Sequence, residues 1–239
     1  MTNCFRITAP LVLAALAALP TGAGAAPAKP RAPAVLAENW ATAVEARDGG
    51  HVFGNPAAKA RLVEYMSYTC SHCAEFARTG DVAIKLFVVP RGTVSFEIRH
   101  LLRDPIDLTA ALLTHCGDPE KFLGNHEAIL AKQGDWMEIA RTAPQAQRTR
   151  WSFGTLHARW RAIASDMGFY DIMETRGYSR PQLDKCLADQ AKATALADAT
   201  QRDVEALGLQ GTPSFVVDGK LLQGVHDWDA LKPIIEKLD

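Results

Sequence analysis

The 239-residue chain carries 26 basic and 27 acidic side chains and a formal net charge of −1, a balance that argues against nucleic acid or an anionic membrane surface as its main partner. Its apolar fraction of 48 % is that of an ordinary globular protein, not of a disordered or fibrous one. The length suffices for one core with an insertion, or for two small lobes.

Residues 1–25 read as a signal peptide. A short segment with one positive charge, Arg6, precedes an apolar run over residues 7–20, and Ala23-Gly24-Ala25 fits the small-residue cleavage pattern. The run is shorter than the roughly 20 residues a bilayer span needs. Cys4 stands before it, whereas an acylated cysteine would follow it, so Cys4 is expected to leave with the signal. Residues 26–50 form a leader and a short helix: residues 26–33 are rich in Ala, Pro and Lys, and Leu36, Trp40 and Val44 at i, i+4, i+8 predict a helix over 35–48 that Gly49-Gly50 breaks.

Residues 51–53 suit a short edge strand, followed by a turn at Gly54-Asn55-Pro56. Residues 61–68, with Leu62, Val63, Tyr65, Met66 and Tyr68, read as a buried strand that runs into Cys70. A helix is expected over 71–86, and the alternation of Val94, Phe96 and Ile98 predicts a strand over 93–101. Residues 104–207 then show helical spacing throughout, with start signals at Asp118-Pro119-Glu120 and Ser179-Arg180-Pro181. Strand chemistry returns over 212–217. A turn at Asp218-Gly219 and an amphipathic helix over 227–238 complete the last segment, residues 208–239.

The chemistry concentrates at Cys70-Ser71-His72-Cys73. Two cysteines three apart at a helix start can close a small disulfide, and unpaired N–H groups there favour a thiolate on the first sulfur. A protonated His72 would stabilise the same thiolate. Cys70 is thus the expected exposed nucleophile and Cys73 the shielded resolving thiol. A Cys70 pKa of about 4 would favour the reduced form at pH 7 by on the order of 4 kcal/mol and make the disulfide more oxidising by roughly 90 mV. Haem attachment would need a His directly after the second Cys, where Ala74 stands, and no second Cys-x-x-Cys completes a zinc site. With Cys116 and Cys186, the four remaining cysteines allow three pairings, of which one keeps the close pair together.

Glu64–Thr69 leading into Cys-x-x-Cys, the helical insertion, and a late Gly211-Thr212-Pro213 opening a strand resemble the DsbA-like branch of the thioredoxin superfamily, over nearly all of the chain from Gly54 onward. The resemblance implies an α/β thioredoxin fold with an inserted all-helical domain, working in the periplasm without a bound cofactor or metal. It implies that Pro213 is a cis-proline beside the active disulfide and that Thr212, with it, meets the extended substrate. Thr212 would tune the potential through its hydroxyl; oxidases of the family often carry Val there and isomerases often Thr. Glu64, six residues before the nucleophile, matches the family's buried acid and would relay the proton of Cys73; the alternative is a surface glutamate. Cys116 and Cys186 match a structural pair, the alternatives being two free thiols or a second redox couple. The implied partners are cysteine-containing exported proteins and a membrane quinone-linked reoxidising enzyme. An isomerase or reductase of the same fold, or a metal-binding or holdase protein using the dithiol as a soft ligand, are the rival readings.

Residues 148–161 mix arginines with Trp151, Phe153 and Trp160 and read as an amphipathic helix of the insertion, not as a nucleic-acid surface. His100, His115, His126, His157 and His226 lack ligand spacing and are expected at the surface or hydrogen-bonded. No phosphate loop, dinucleotide fingerprint or zincin helix is present.

Overall fold

The computed structural model describes residues 39–238, so the signal peptide and the leader lie outside the described residues. A six-stranded sheet runs in the order β1-β2-β4-β3-β5-β6, with β1 Val44–Arg47, β2 Gly50–Phe53, β3 Ala60–Met66, β4 Val94–His100, β5 Ser214–Val217 and β6 Lys220–Leu221. The central strand β3 pairs parallel with β4 and antiparallel with β5, Glu64 lying opposite Ile98 and Phe215. Helix α1, Ser71–Phe76, follows β3 and makes the crossover to β4. A two-residue turn with Asp218 (φ 47°) and Gly219 (φ 80°) both left-handed joins β5 to β6, the backbone such a tight hairpin needs.

Eight helices lie between β4 and β5: α2 Pro105–Thr114, α3 Phe122–Ala131, α4 Gln133–Thr142, α5 Gln145–Ser152, α6 Leu156–Asp166, α7 Phe169–Thr175, α8 Arg180–Leu187 and α9 Gln190–Leu207. The chain closes with α10, Trp228–Ile235, which buries Leu231 and Ile235. One core joins sheet residues such as Leu62, Phe96 and Ile98 to helical residues such as Leu112, Phe122 and Trp160. The opposite sheet face carries a second cluster, Val63, Tyr65, Leu209 and Val216, against Val204 and Leu207. This explains why β4 is buried along its whole length although its sequence alternates. Arg99 on the polar side reaches Asp203 of α9 at 2.7 Å and Glu97 at 2.9 Å.

Several expectations are corrected. The helix over 35–48 does not extend through the described residues: Trp40–Thr42 make a single tight turn and Val44–Arg47 are β1, paired antiparallel with β2. Asp48-Gly49, with Gly49 at φ 80°, turns one strand into the next, and the pairing overrides the helical spacing of three apolar residues. The strand at residues 51–53 is therefore interior, not an edge. The helical run from Ser71 passes residue 86 and reaches Arg91, through wider i→i+5 turns at Ala77–Asp81 and Ile84–Val88. Residues 148–161 are not one helix; Gly154 at φ 98° separates α5 from α6, and Arg150 and Trp151 both bond to Asp166.

His100, His115, His126 and His226 are hydrogen-bonded, as expected, and three of them gather with His51 in the interior. His51 of β2 stacks on Phe122 (centroids 3.8 Å apart) and meets His115 edge-on at 4.6 Å, while His100 Nε2 lies 2.9 Å from His115 Nε2. Together with buried His126 they line the seam between sheet and helices. Burial lowers His51 to about 4 and His100 to about 3, and pushes His115 well below the ordinary histidine range.

Candidate active site around Cys70 and Cys73

The loop from β3 to α1 places the motif. Cys70 is the N-cap of α1 in an extended conformation, so the first-turn N–H groups converge on its sulfur. Both motif cysteines are free thiols in this structure and both are buried. The Cys70 thiol donates to the main-chain oxygen of Thr212 at 3.2 Å, and the Thr212–Pro213 peptide bond is cis. The cis-proline loop is itself held by His226, whose Nδ1 lies 2.8 Å from the Pro213 oxygen.

The two thiols are driven apart. Cys70 is lowered to about 5, foremost by the hydrogen bond from the Cys73 thiol, with help from Thr212 and the N–H groups of Cys73 and His72, against the opposing effect of burial. Cys73 is pushed well above the usual thiol range by burial, by its bond to Cys70 and by the charge of Glu64. His72 takes part through its backbone N–H, which helps to lower Cys70, and its side chain is exposed. Glu64, 1 % exposed, sits on the same face of β3 as Leu62 and Met66. Burial, and next the Asp81 carboxylate, raise it well above the carboxylic-acid range.

Three residues that sequence reasoning missed fix the loop before Cys70. Asp107 of α2 accepts from Ser67 Oγ at 2.6 Å and from Tyr68 N at 2.8 Å, and burial raises it to about 7 despite these bonds. Asp104, the N-cap of α2, accepts from Thr69 Oγ1 at 2.8 Å. Gln133 at the start of α4 donates to the oxygens of Tyr68 (2.6 Å) and Cys70 (2.8 Å). Asp104-Pro105 carried a helix-start signal; Gln133 carried none. Thr69, His72, Arg103, Gln210 and Gly211 line an open, mainly polar groove beside Cys70 and Thr212.

Cys116, just past α2, and Cys186 of α8 are joined by a disulfide, 70 residues apart. Among the described residues no group of three or more His, Cys, Asp or Glu side chains is placed to hold a metal ion, and no helix is long and apolar enough to cross a membrane.

A thioredoxin family model matches residues 46–237. The chain belongs to this thioredoxin family. Within the superfamily it is DsbA-like in fold. A crystal structure of a protein-disulfide isomerase from Novosphingobium aromaticivorans is similar at 46 % identity and a TM-score of 0.76, over 80 % of this chain and 98 % of that one. The α-DsbA1 structure from Wolbachia pipientis, at 21 % identity, shares the fold with a TM-score of 0.62 over 78 % of this chain and 89 % of that one. A Rickettsia conorii chain that bears a protein-disulfide oxidoreductase name is 26 % identical over 80 % of this chain, which spans 60 % of that relative's length. A similarly named Rickettsia prowazekii chain is 29 % identical, and 62 % of its length is covered.

Proposed function

We propose that this thioredoxin-family chain is a thiol–disulfide oxidoreductase of exported proteins, acting in the periplasm as a disulfide donor through Cys70 and Cys73. The observation that carries the reading is the split between the two thiols, Cys70 lowered to about 5 and Cys73 raised. A thiolate that stable at pH 7 favours the dithiol form by on the order of 2–3 kcal/mol, and the disulfide gains oxidising power by roughly 60 mV.

In the proposed reaction a substrate thiolate attacks Cys70 Sγ of the Cys70–Cys73 disulfide. The S–S bond breaks, Cys73 leaves as a thiolate, and a proton from Glu64 converts it to the thiol its buried site prefers. The substrate's second thiolate then attacks its own sulfur in the mixed disulfide and releases Cys70 as a thiolate. Two electrons pass from substrate to protein, without a bound cofactor. The groove and the backbone of Thr212 receive the extended substrate, with Pro213 beside it. A membrane quinone-linked partner would restore the disulfide.

One second reading has an observation in its favour. The similar Novosphingobium protein is named a protein-disulfide isomerase, and Thr212 stands where oxidases of the family often have Val. The reduction potential, measured by equilibration with glutathione buffers, separates the two. A value clearly above about −180 mV supports the donor, and one at or below about −230 mV overturns it for an isomerase or reductase.

A further inference from the structure

Behind Cys73 lies a chain of buried polar groups that the exchange steps above do not use. Asp81, in the helical run that continues α1, is 3 % exposed, and His126 of α3 is 1 % exposed. His126 Nε2 lies 3.3 Å from Asp81 Oδ2, and its Nδ1 lies 3.0 Å from the Tyr68 hydroxyl. The hydrogens in this chain can be assigned by donor count. Thr114 donates its single hydroxyl hydrogen to the Ala111 oxygen at 3.0 Å, so Tyr68 must donate to Thr114 Oγ1, at 2.9 Å. The Tyr68 oxygen then accepts from His126 Nδ1–H, which leaves Nε2 facing a carboxylate oxygen with one proton to be shared between them.

The other side of Asp81 has the same form. Glu64 and Asp81 lie against each other, and Glu64 Oε2 and Asp81 Oδ1 are both buried with no donor from the protein. A proton held between the two carboxyl groups supplies the donor that these oxygens lack. Two protons over Glu64, Asp81 and His126 therefore satisfy these contacts, one on each side of Asp81. Asp81 also lines a narrow cleft with Phe53, Lys85, Val89 and Leu123 that opens to the surface.

We propose that Asp81 is the residue through which Glu64 exchanges protons with His126 and, along the cleft beside Lys85, with solvent. The inference rests on Cys73 being the resolving thiol. When the Cys73 thiolate takes the proton of Glu64, the proton shared by Asp81 and His126 moves across Asp81 to Glu64, and solvent refills the pair through the cleft. Reoxidation runs the sequence backwards. Asp81 touches neither sulfur nor substrate in this scheme; it is a positioning residue that acts through Glu64. The titratable groups facing the chain are Cys70 and Cys73 at the start of α1, Tyr68 and Asp107 beside the loop, His51 and His100 from the sheet, and Lys85, which is paired with Glu127 at 2.8 Å.

The test uses the full protein and follows attack of Cys73 on a preformed Cys70–glutathione mixed disulfide by stopped flow from pH 5 to 9. Asp81→Asn keeps the size and a hydrogen bond but cannot pass a proton. The expected result is resolution slowed at least tenfold at pH 7 with a changed pH profile, while alkylation of Cys70 by iodoacetamide keeps its wild-type rate and pH midpoint. A wild-type rate and profile in the variant, or an equal slowing at every pH, overturns the proposal. If Asp81→Asn does not fold, ¹³C-detected titration of the Glu64 carboxyl in the native protein decides. Two coupled steps support the shared proton and one simple step overturns it. Absence of any exchange with glutathione in the wild-type protein overturns the functional reading itself, and this proposal with it.

Discussion

The sulfur of Cys70 and the main-chain oxygen of Thr212 are 3.2 Å apart although 142 residues separate them in the chain. The contact joins the strand–helix junction that presents the nucleophile to the loop that opens β5. Thr212 also helps to lower Cys70, and from this the first prediction follows. In the wild type the Cys70 thiolate, followed by absorbance at 240 nm, should titrate near pH 5. A lowered thiol stabilises the reduced protein above that pH, and the gain is lost as pH falls through about 5. Thr212→Val should move the midpoint upward and make the disulfide less oxidising; an unmoved midpoint would mean that the hydroxyl plays no part.

Cys70→Ser should abolish exchange with a reduced, unfolded substrate. Cys73→Ser should instead accumulate a stable mixed disulfide with it, visible as a shifted band on a non-reducing gel, because no resolving thiol remains. Equal loss of both behaviours in the two variants would contradict the assignment of roles.

Gln133 is the one side chain that satisfies the oxygens of Tyr68 and Cys70 together. Gln133→Ala leaves the buried Tyr68 oxygen without a donor, while the Cys70 oxygen keeps the Ala74 N–H at 3.2 Å, and should cost about 1–3 kcal/mol in urea unfolding. It should also broaden the Cys70 titration by loosening the loop. A variant as stable as the wild type would show that other donors take over.

Acid should weaken the fold through the buried imidazoles. His51 at about 4 and His100 at about 3 stay neutral in the folded protein, while the unfolded chain takes up their protons from about pH 6.5. Protons thus bind the unfolded state first, and stability falls as pH drops from about 6.5 towards 4, by up to roughly 3 kcal/mol from His51. Glu64 has the opposite sign: its raised carboxyl costs stability as pH rises above the ordinary carboxylic range. Urea midpoints at pH 7, 5.5 and 4.5 should decline in that order, and His51→Phe should flatten the decline. Midpoints independent of pH would refute the buried-neutral assignment.

Removing the Cys116–Cys186 bridge, which closes a 70-residue separation, should cost about 2–4 kcal/mol. The double variant Cys116→Ala/Cys186→Ala should keep the potential of Cys70–Cys73, since neither cysteine belongs to the groups around them. A changed potential would make the bridge a second redox couple.

What the sequence determined by itself is local. A buried strand running into Cys-x-x-Cys and the helix that follows are patterns within one element or one turn, and they sufficed to mark the two sulfurs and their class of chemistry. Glu64 and the late Thr212-Pro213 were marked by the family resemblance, and the fold put Glu64 on the inward face. The tertiary structure decided the rest, because it depends on contacts between residues far apart in the chain. Residues 44–47 became a strand only because β2 was there to pair with. His51, His100, His115 and His126 became a cluster only when two strands and two helices met. Asp81, Asp107 and Gln133 look like ordinary polar residues of helical segments until the helices fold back over the β3–α1 loop. There, out of water, each polar group must find a partner, and that requirement, invisible in spacing or composition, turned them into the frame of the site.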